Sequence, residues 1–368
     1  MPSKITVGIL FGGKSAEHEV SLQSAKNVYE AINKSKYTVK LIGIDKAGRW
    51  HLNDAEEFLL KTNNPELIKL QKISGNLALV PGEKIFQLVK TTNSQKIEKI
   101  DVIFPILHGP FGEDGTIQGL LKLANVPFVG ASVLGSAVGM DKDVMKRLLR
   151  DAKIPIGKFL TYYQFQKKEI IFEDVIKNIG LPFYVKPANL GSSVGISRVD
   201  KKEKFSPAVN EAFKFDSKII IEENMKGREI ECSVLGNENP IASVPGEIIT
   251  DSDHHKFYSY EAKYIDDKGA NLQIPASLSI DVTKKIQELA VKTFKVLCCE
   301  GMARVDFFLS KKNHVFVNEL NTIPGFTKIS MYPKLWQASG ISYSELIDRL
   351  IQLAISRFEK EKILKTTV

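Results

Sequence analysis

The sequence predicts a mixed α/β (α+β) protein of three units, the first an open, largely parallel sheet. Three observations lead there. Strand-like and helix-like segments alternate through the first third of the chain, the rhythm of a sheet that binds ligands at the carboxyl ends of its strands. At 368 residues the chain exceeds what one ordinary core organises,. Residues 301–320 read as a hairpin with one polar and one apolar face, which suits a wall beside a cleft.

In chain order, residues 4–11 form an apolar run of strand length, 21–32 a helix, 37–44 a strand and 101–107 another,. Helix 116–124 and strand 127–129 close the first unit, residues 1–130. Residues 50–98 are less regular and read as an insertion with one helix and a small hairpin. The second unit, 131–223, holds helix 142–152 and strands at 159–162, 183–186 and 218–222. The third, 224–368, holds strand 229–235, an irregular loop from 245 to 275, helix 282–299 and the hairpin. Its last helix carries the apolar stripe Leu346, Ile347, Leu350, Ile351 and Ala354, which is core,.

Composition narrows the classes. No apolar run reaches membrane-spanning length, and MPSKITVGIL enters a strand without the pattern of a secretory signal,. Three cysteines, two of them adjacent, make neither a disulfide framework nor a zinc site, so a reducing cytoplasm is the expected home,. The net charge of +8 comes from scattered lysines. It reads as a solvated surface with some excess kept for an anionic ligand, and no nucleic-acid module or membrane partner is expected.

The hairpin is the most informative stretch. Strands 303–309 and 314–320 flank the turn Ser310-Lys311-Lys312-Asn313. Tight closure pairs Leu309 with His314 and Arg304 with Glu319. Arg304, Asp306, Glu319 and Asn321 then share one face, while Val305, Phe307, Phe316 and Leu320 enter the core. Three oxygen-bearing side chains beside an arginine suit Mg²⁺ and the phosphates it carries, whereas a merely wet face needs no such convergence.

Residues 8–15, GILFGGKS, match the G-x-x-x-x-G-K-[ST] phosphate-loop pattern after a strand,. Ile9, Leu10 and Phe11 continue the strand, so only Gly12–Ser15 remains to form a loop, too short to wrap a phosphate. Glu17 and Glu19 then place carboxylates where anions would sit. A sharp glycine turn that presents Glu17 to an ammonium is the better reading. Elsewhere a strand ends on Lys186, and the turn Gly191-Ser192-Ser193-Val194-Gly195 follows, offering hydroxyls and backbone N–H groups to a triphosphate,. Lys142 at a helix start adds a cation. The strand exit Glu222-Glu223-Asn224-Met225, leading to Glu229, offers groups for an adenine edge and a ribose.

Taken together, GGKSAEHEVSL (12–22), HGPFGEDGTIQG (108–119), GMDK (139–142), VKPANLGSSVG (185–195), EENMKGREIECSVLG (222–236), YEAKY (260–264), GMARVDFF (301–308) and NELNTIPGFTKIS (318–330) resemble the D-alanine–D-alanine ligase family of the ATP-grasp superfamily. The resemblance spans nearly the whole chain. It implies a three-domain ATP-grasp fold whose second and third domains enclose ATP. The implied reaction joins two D-alanine molecules through an acyl phosphate, releasing ADP and phosphate, for peptidoglycan precursor synthesis and so for cell wall and cell shape. It further implies that Glu17 holds the first D-alanine's ammonium, with His108 nearby. Lys142, Lys186 and Lys263 meet the phosphates, Ser192 and Ser193 the phosphate loop. Glu222, Glu223, Asn224, Met225 and Glu229 meet the nucleoside. Asp306, Glu319 and Asn321 hold two Mg²⁺, with Mn²⁺ as a substitute. Arg304 and the Gly325 amide stabilise the tetrahedral oxyanion, and Ser330 receives the second D-alanine's carboxylate. Ser192 and Tyr264 tie loop and lid to Glu17, and Tyr264 favours an amine over D-lactate as second nucleophile. A homodimer is the family's assembly.

Asp251-Ser252-Asp253-His254-His255 falls inside the long loop and reads as lid rather than metal ligand, since adjacent histidines point apart,. The phosphate-loop pattern and the substrate-turn reading diverge at Lys14. A Lys14→Ala variant is expected to keep nucleotide affinity within about threefold of wild type by calorimetry, a small change beside the loss of a phosphate-loop lysine.

Overall fold

The computed structural model describes residues 4–54, 59–60, 68–70, 76–82, 88–91, 93, 96–97, 99–249 and 271–365. Three principal sheets carry it. The first has seven strands in the order 96–97, 88–90, 77–79, 50–53, 37–44, 5–12, 102–106. Ile5–Gly12 lies at its heart, parallel to Tyr37–Ile44 on one side and Val102–Ile106 on the other. The remaining strands add antiparallel. The expected parallel sheet is therefore confined to three strands, and the short strands 50–53, 77–79, 88–90 and 96–97 extend it antiparallel. Among the described residues that insertion contains no helix. Residues 127–129 supply only a single bridge, Ile103 to Phe128, instead of a strand, because Pro127 offers no N–H to a ladder.

The strand-to-helix turn that resembled a phosphate loop is closed by its own backbone. Gly12 ends the strand with φ +92, and a Cβ there would lie 2.2 Å from the Ile44 carbonyl oxygen. Its N–H donates to Ser21 Oγ (2.7 Å), the Gly13 N–H donates to Ile44 O (2.8 Å), and Ser21 Oγ donates onward to Ile106 O. Helix His18–Ala31 thus begins three residues before the expected start.

The second sheet is antiparallel, in the order Phe159–Tyr163, Lys218–Glu223, Phe183–Pro187, Ser197–Val199. Helices Phe172–Ile179 and Phe205–Ala212 bury Val175, Phe205 and Val209 against it. The third sheet runs Asn271–Gln273, Gly246–Ile249, Arg228–Gly236, Gly301–Leu309, Val315–Asn321. The pairing of Gly246–Ile249 with Asn271–Gln273 corrects the expected loop of 245–275: its two ends form an antiparallel pair, Glu247 opposite Gln273. Residues 250–270 lie outside the described residues, and with them Lys263, Tyr264 and the Asp251–His255 segment.

The hairpin corrects its predicted register. Its turn spends three residues, with Asn313 at φ +58 and the Ser310 N–H donating to His314 O (2.9 Å), so Leu309 faces Val315 instead of His314,. A bulge at Asn318 then inserts a second one-residue shift, so that Asp306 faces Glu319 and Arg304 faces Asn321,. Each shift flips a strand's faces. Two shifts restore the expected face for Glu319 and Asn321. Between them, Val315 and Val317 are buried and Phe316 is turned outward, the reverse of the expectation for Phe316.

The largest core cluster unites the first sheet with the end of the chain. Val7, Phe11 and Phe104 pack with Phe326, Trp336 and the whole predicted stripe Leu346, Ile347, Leu350, Ile351 and Ala354. Arg357 on the same helix is buried and donates to the carbonyls of Gly130 (2.6 Å) and Phe128 (2.8 Å). Replacing it leaves both carbonyls without their charged donor. Arg357→Met is expected to cost on the order of 3 kcal/mol in urea unfolding, with secondary structure unchanged by circular dichroism.

Candidate functional site

Between the second and third sheets lies an open cleft with a cavity volume of about 250 Å³. It collects Lys142, Lys186, Ser192, Ser193, Glu222, Glu223, Asn224, Met225, Glu229 and Glu319. These come from four separate chain segments that the sequence reading had linked.

The cationic side is built from a helix and a strand. Asp141 caps helix Lys142–Asp151, accepting from the Asp143 and Val144 N–H groups at 3.1 Å each,. That sets Lys142 at the helix start, where its Nζ donates to Leu190 O (2.6 Å) and lies 3.8 Å from Glu319 Oε2. One turn on, Lys146 reaches Glu222 Oε1 at 2.9 Å, while Lys186 Nζ bonds Glu222 Oε2 at 2.5 Å. Burial would raise the Glu222 pKa, but the two ammonium groups outweigh it and hold the carboxyl at about 2. Burial likewise disfavours charge on Lys186, yet Glu222 and Glu319 keep its pKa above the usual value. Lys186 and Tyr184 sit on one strand, with Tyr184 also on the cleft wall. Glu222, expected at the nucleoside, is thus clasped by two lysines. Glu223 Oε1 accepts the Lys158 N–H (2.6 Å).

The serine turn holds Ser192 and Ser193 at φ +51 and +60, a left-handed pair that non-glycine residues adopt at a cost,. Ser192 Oγ donates to Glu17 Oε1, linking the second sheet's turn to the first sheet's. Glu17 is buried at the start of its helix, and Gly109 permits the approach: a Cβ there would lie 2.7 Å from Glu17 Oε2.

On the hairpin face Arg304 grips Asp306 with two bonds, Nε to Oδ1 (2.7 Å) and Nη2 to Oδ2 (2.8 Å),. Arg304 Nε also lies 2.9 Å from Glu231 Oε2, and Asn321 Nδ2 donates to Asp306 Oδ2 (3.1 Å). Asp306, Glu319 and Asn321 therefore stand together with hard oxygen donors, a set that fits Mg²⁺. Ser330 Oγ accepts the Thr327 N–H (3.0 Å) at the start of helix Met331–Ala338. His108 is buried, with Nδ1 3.0 Å from Ile323 O. Burial drives its pKa down to about 4 despite that bond, so the ring is neutral.

Sequence reading missed four groups. Lys146 follows Lys142 by one helical turn, and that spacing was a readable signal. Glu231 follows Glu229 by two on one strand. Glu113 carries a pKa pushed well above the carboxylate range by burial and by Glu17, with Arg304 opposing. Ser24, inside a helix, gave no signal.

Two family models match the chain, described as D-ala D-ala ligase N-terminus over residues 6–131 and D-ala D-ala ligase C-terminus over residues 148–352. The D-alanine--D-alanine ligase of Oceanobacillus iheyensis is 55% identical over 364 residues, covering 99% of both chains. D-alanine--D-alanine ligase A of Escherichia coli strain K12 is 54% identical over 365 residues, covering 99% of this chain and 100% of its own. Among solved structures, the D-alanine-D-alanine ligase from Coxiella burnetii matches with a TM-score of 0.83 at 39% identity, covering 98% of this chain and 96% of that one. The VanG D-Ala:D-Ser ligase from Enterococcus faecalis matches with a TM-score of 0.83 at 34% identity, covering 96% and 100%.

The Glu222 clasp has a pH signature. A carboxyl whose folded pKa is about 2, below its ordinary 4.5, contributes stability that is fully present above about 4.5 and lost as pH falls through about 2. The stability deficit of Glu222→Gln relative to wild type is expected to be constant above about pH 5 and to shrink steadily below it. Urea midpoints measured from pH 7 to pH 3 check this.

Proposed function

The chain belongs to the D-alanine–D-alanine ligase family, and from that premise we propose that it joins two D-alanine molecules into D-alanyl-D-alanine, spending ATP and releasing ADP and phosphate. One observation supports this reading most: a lysine-lined cleft ends on the oxygen-bearing face of the hairpin, and its serine turn bonds Glu17 across to the first sheet. On this reading the nucleotide cleft adjoins both the hairpin's oxygen donors, through Glu319, and the carboxylate of Glu17, through Ser192.

Lys142 and Lys186 draw the triphosphate into the cleft, and the Ser192–Ser193 turn cradles its end with hydroxyls and N–H groups. Residues 222–225 and Glu229 line the nucleoside end. Glu17 holds the ammonium of the first D-alanine, whose carboxylate attacks the γ-phosphorus to give an acyl phosphate. Asp306, Glu319 and Asn321 would hold Mg²⁺, or Mn²⁺ in its place, which would supply Lewis-acid neutralisation of phosphate charge. Ser330 receives the carboxylate of the second D-alanine, whose amine then attacks the acyl carbon. Arg304 and the Gly325 amide face the oxyanion of the tetrahedral intermediate, the largest single source of stabilisation in acyl transfer. Family resemblance assigns Lys263 to phosphate contact and Tyr264 to the partners of Glu17; both lie outside the described residues. Placing both substrates head to tail supplies much of the remaining acceleration. The product feeds peptidoglycan synthesis, in a cytoplasmic homodimer with no nucleic-acid or membrane partner.

Phosphate release from ATP should require D-alanine and yield the dipeptide as the product identified by mass. A D-alanine and D-lactate mixture should still give mainly the dipeptide, whereas a dominant depsipeptide would move the enzyme to a different second substrate. Asp306→Asn and Glu319→Gln should each lower turnover by about a hundredfold or more. Near-normal rates in both variants would remove the metal assignment.

A further inference from the structure

The turn Ile323–Phe326 leaves the hairpin and carries Gly325. Three of its backbone polar atoms, the Ile323 carbonyl and the Phe326 N–H and carbonyl, are bonded by side chains from outside the turn. The Phe326 carbonyl accepts from Tyr343 Oη (2.7 Å) and from Asn27 Nδ2 (3.4 Å). The Phe326 N–H donates to Ser24 Oγ (3.2 Å). Ser24 Oγ lies 3.3 Å from His108 Nε2, and His108 Nδ1 lies 3.0 Å from Ile323 O.

The proton assignment follows from these contacts. A carbonyl only accepts, so His108 Nδ1 must carry the proton. In the neutral ring Nε2 is then bare and accepts the Ser24 hydroxyl proton. Ser24 Oγ, having donated to the imidazole, keeps its lone pairs for the Phe326 N–H. A continuous chain therefore runs from the Ile323 carbonyl through His108 and Ser24 to the Phe326 amide, bridging the two residues that flank Pro324-Gly325. Pro324 has no N–H. Among the described residues the Gly325 amide is the one N–H inside the bridge without an internal partner.

We propose that His108 is a positioning residue: with Ser24 it clamps the Ile323–Phe326 turn so that the Gly325 amide points at the reacting carbonyl, and it does not bind substrate. This revises the role that family resemblance gave His108, and it rests on the ligase reading of the cleft. Both ring nitrogens are committed to the protein, the side chain is 4% exposed and Ser24 is 0% exposed. Neither nitrogen has a proton to offer a D-alanine carboxylate. An oxyanion donor acts through its preset aim, so a turn that drifts by an ångström loses rate without losing substrate affinity.

Kinetics of Ser24→Ala, His108→Ala and the double variant test this, with wild-type ligation measured alongside. Absence of D-alanine-dependent ADP release in wild type would overturn the ligase reading and this proposal with it. With wild type active, each single variant should lose about ten- to a hundredfold in kcat with the KM values for D-alanine within about twofold. The double variant should lose little more than the worse single, since both break one chain. Affinity for a tetrahedral phosphinate analogue of the dipeptide should fall by the same factor as kcat. Tyr343→Phe, at a half-buried position on the far side of the turn, should show the same pattern at about threefold and serves if the buried variants fail to fold. A raised D-alanine KM at unchanged kcat in His108→Ala would make the histidine a substrate ligand. Wild-type kcat in folded Ser24→Ala, or in Tyr343→Phe where the others do not fold, would also overturn the clamp.

Discussion

The bulge at Asn318 decides what the cleft can do. A strand alternates its side chains strictly, so in an unbroken pairing of Val315–Asn321 with Gly301–Leu309 the burial of Val315 and Val317 would send Glu319 and Asn321 into the core. One extra residue reverses the alternation midway: Val315 and Val317 stay buried, while Glu319 and Asn321 emerge beside Asp306 and Arg304. Packing and chemistry make opposite demands on one strand, and the bulge lets both be met. The same strand delivers the chain to the turn that carries Gly325, so the amide's position inherits the register.

Charge is handled on the same economy of neighbours. The cleft gathers three lysines and several carboxylates with little exposure, which would be costly for isolated ions. Each is matched: Lys146 and Lys186 share Glu222, Arg304 bridges Asp306 and Glu231, and Lys142 leans toward Glu319. Such pairing fixes rotamers before any ligand arrives. Arg304 and Asp306 in particular hold each other in place on the hairpin face.

Much of this was legible in the sequence where a feature is periodic or local. The C-terminal stripe from Leu346 to Ala354 is buried as read, because helical spacing alone dictates it. The strand at 37–44 also follows from alternation, whereas the four-residue polar face of the hairpin matches the reading only because two one-residue register shifts cancel. What escaped depends on long-range pairing. The bulge at Asn318 leaves no local mark, so Phe316 was placed in the core. The short pair Gly246–Ile249 and Asn271–Gln273 exists only through its partner strand, and among the described residues between 50 and 98 short strands extend a sheet. Family resemblance supplied the site residues, but the hydrogen-bonded surroundings of His108, and the part played by Ser24, emerged only from three-dimensional contacts.

The metal binding proposed for the hairpin face can be measured apart from turnover. Electron paramagnetic resonance titration of Mn²⁺ into the protein with a non-hydrolysable ATP analogue counts bound ions directly. The account predicts about two bound Mn²⁺ per chain in wild type and loss of both tight sites in the Asp306→Asn, Glu319→Gln double variant. Undiminished Mn²⁺ binding by that folded double variant would contradict it.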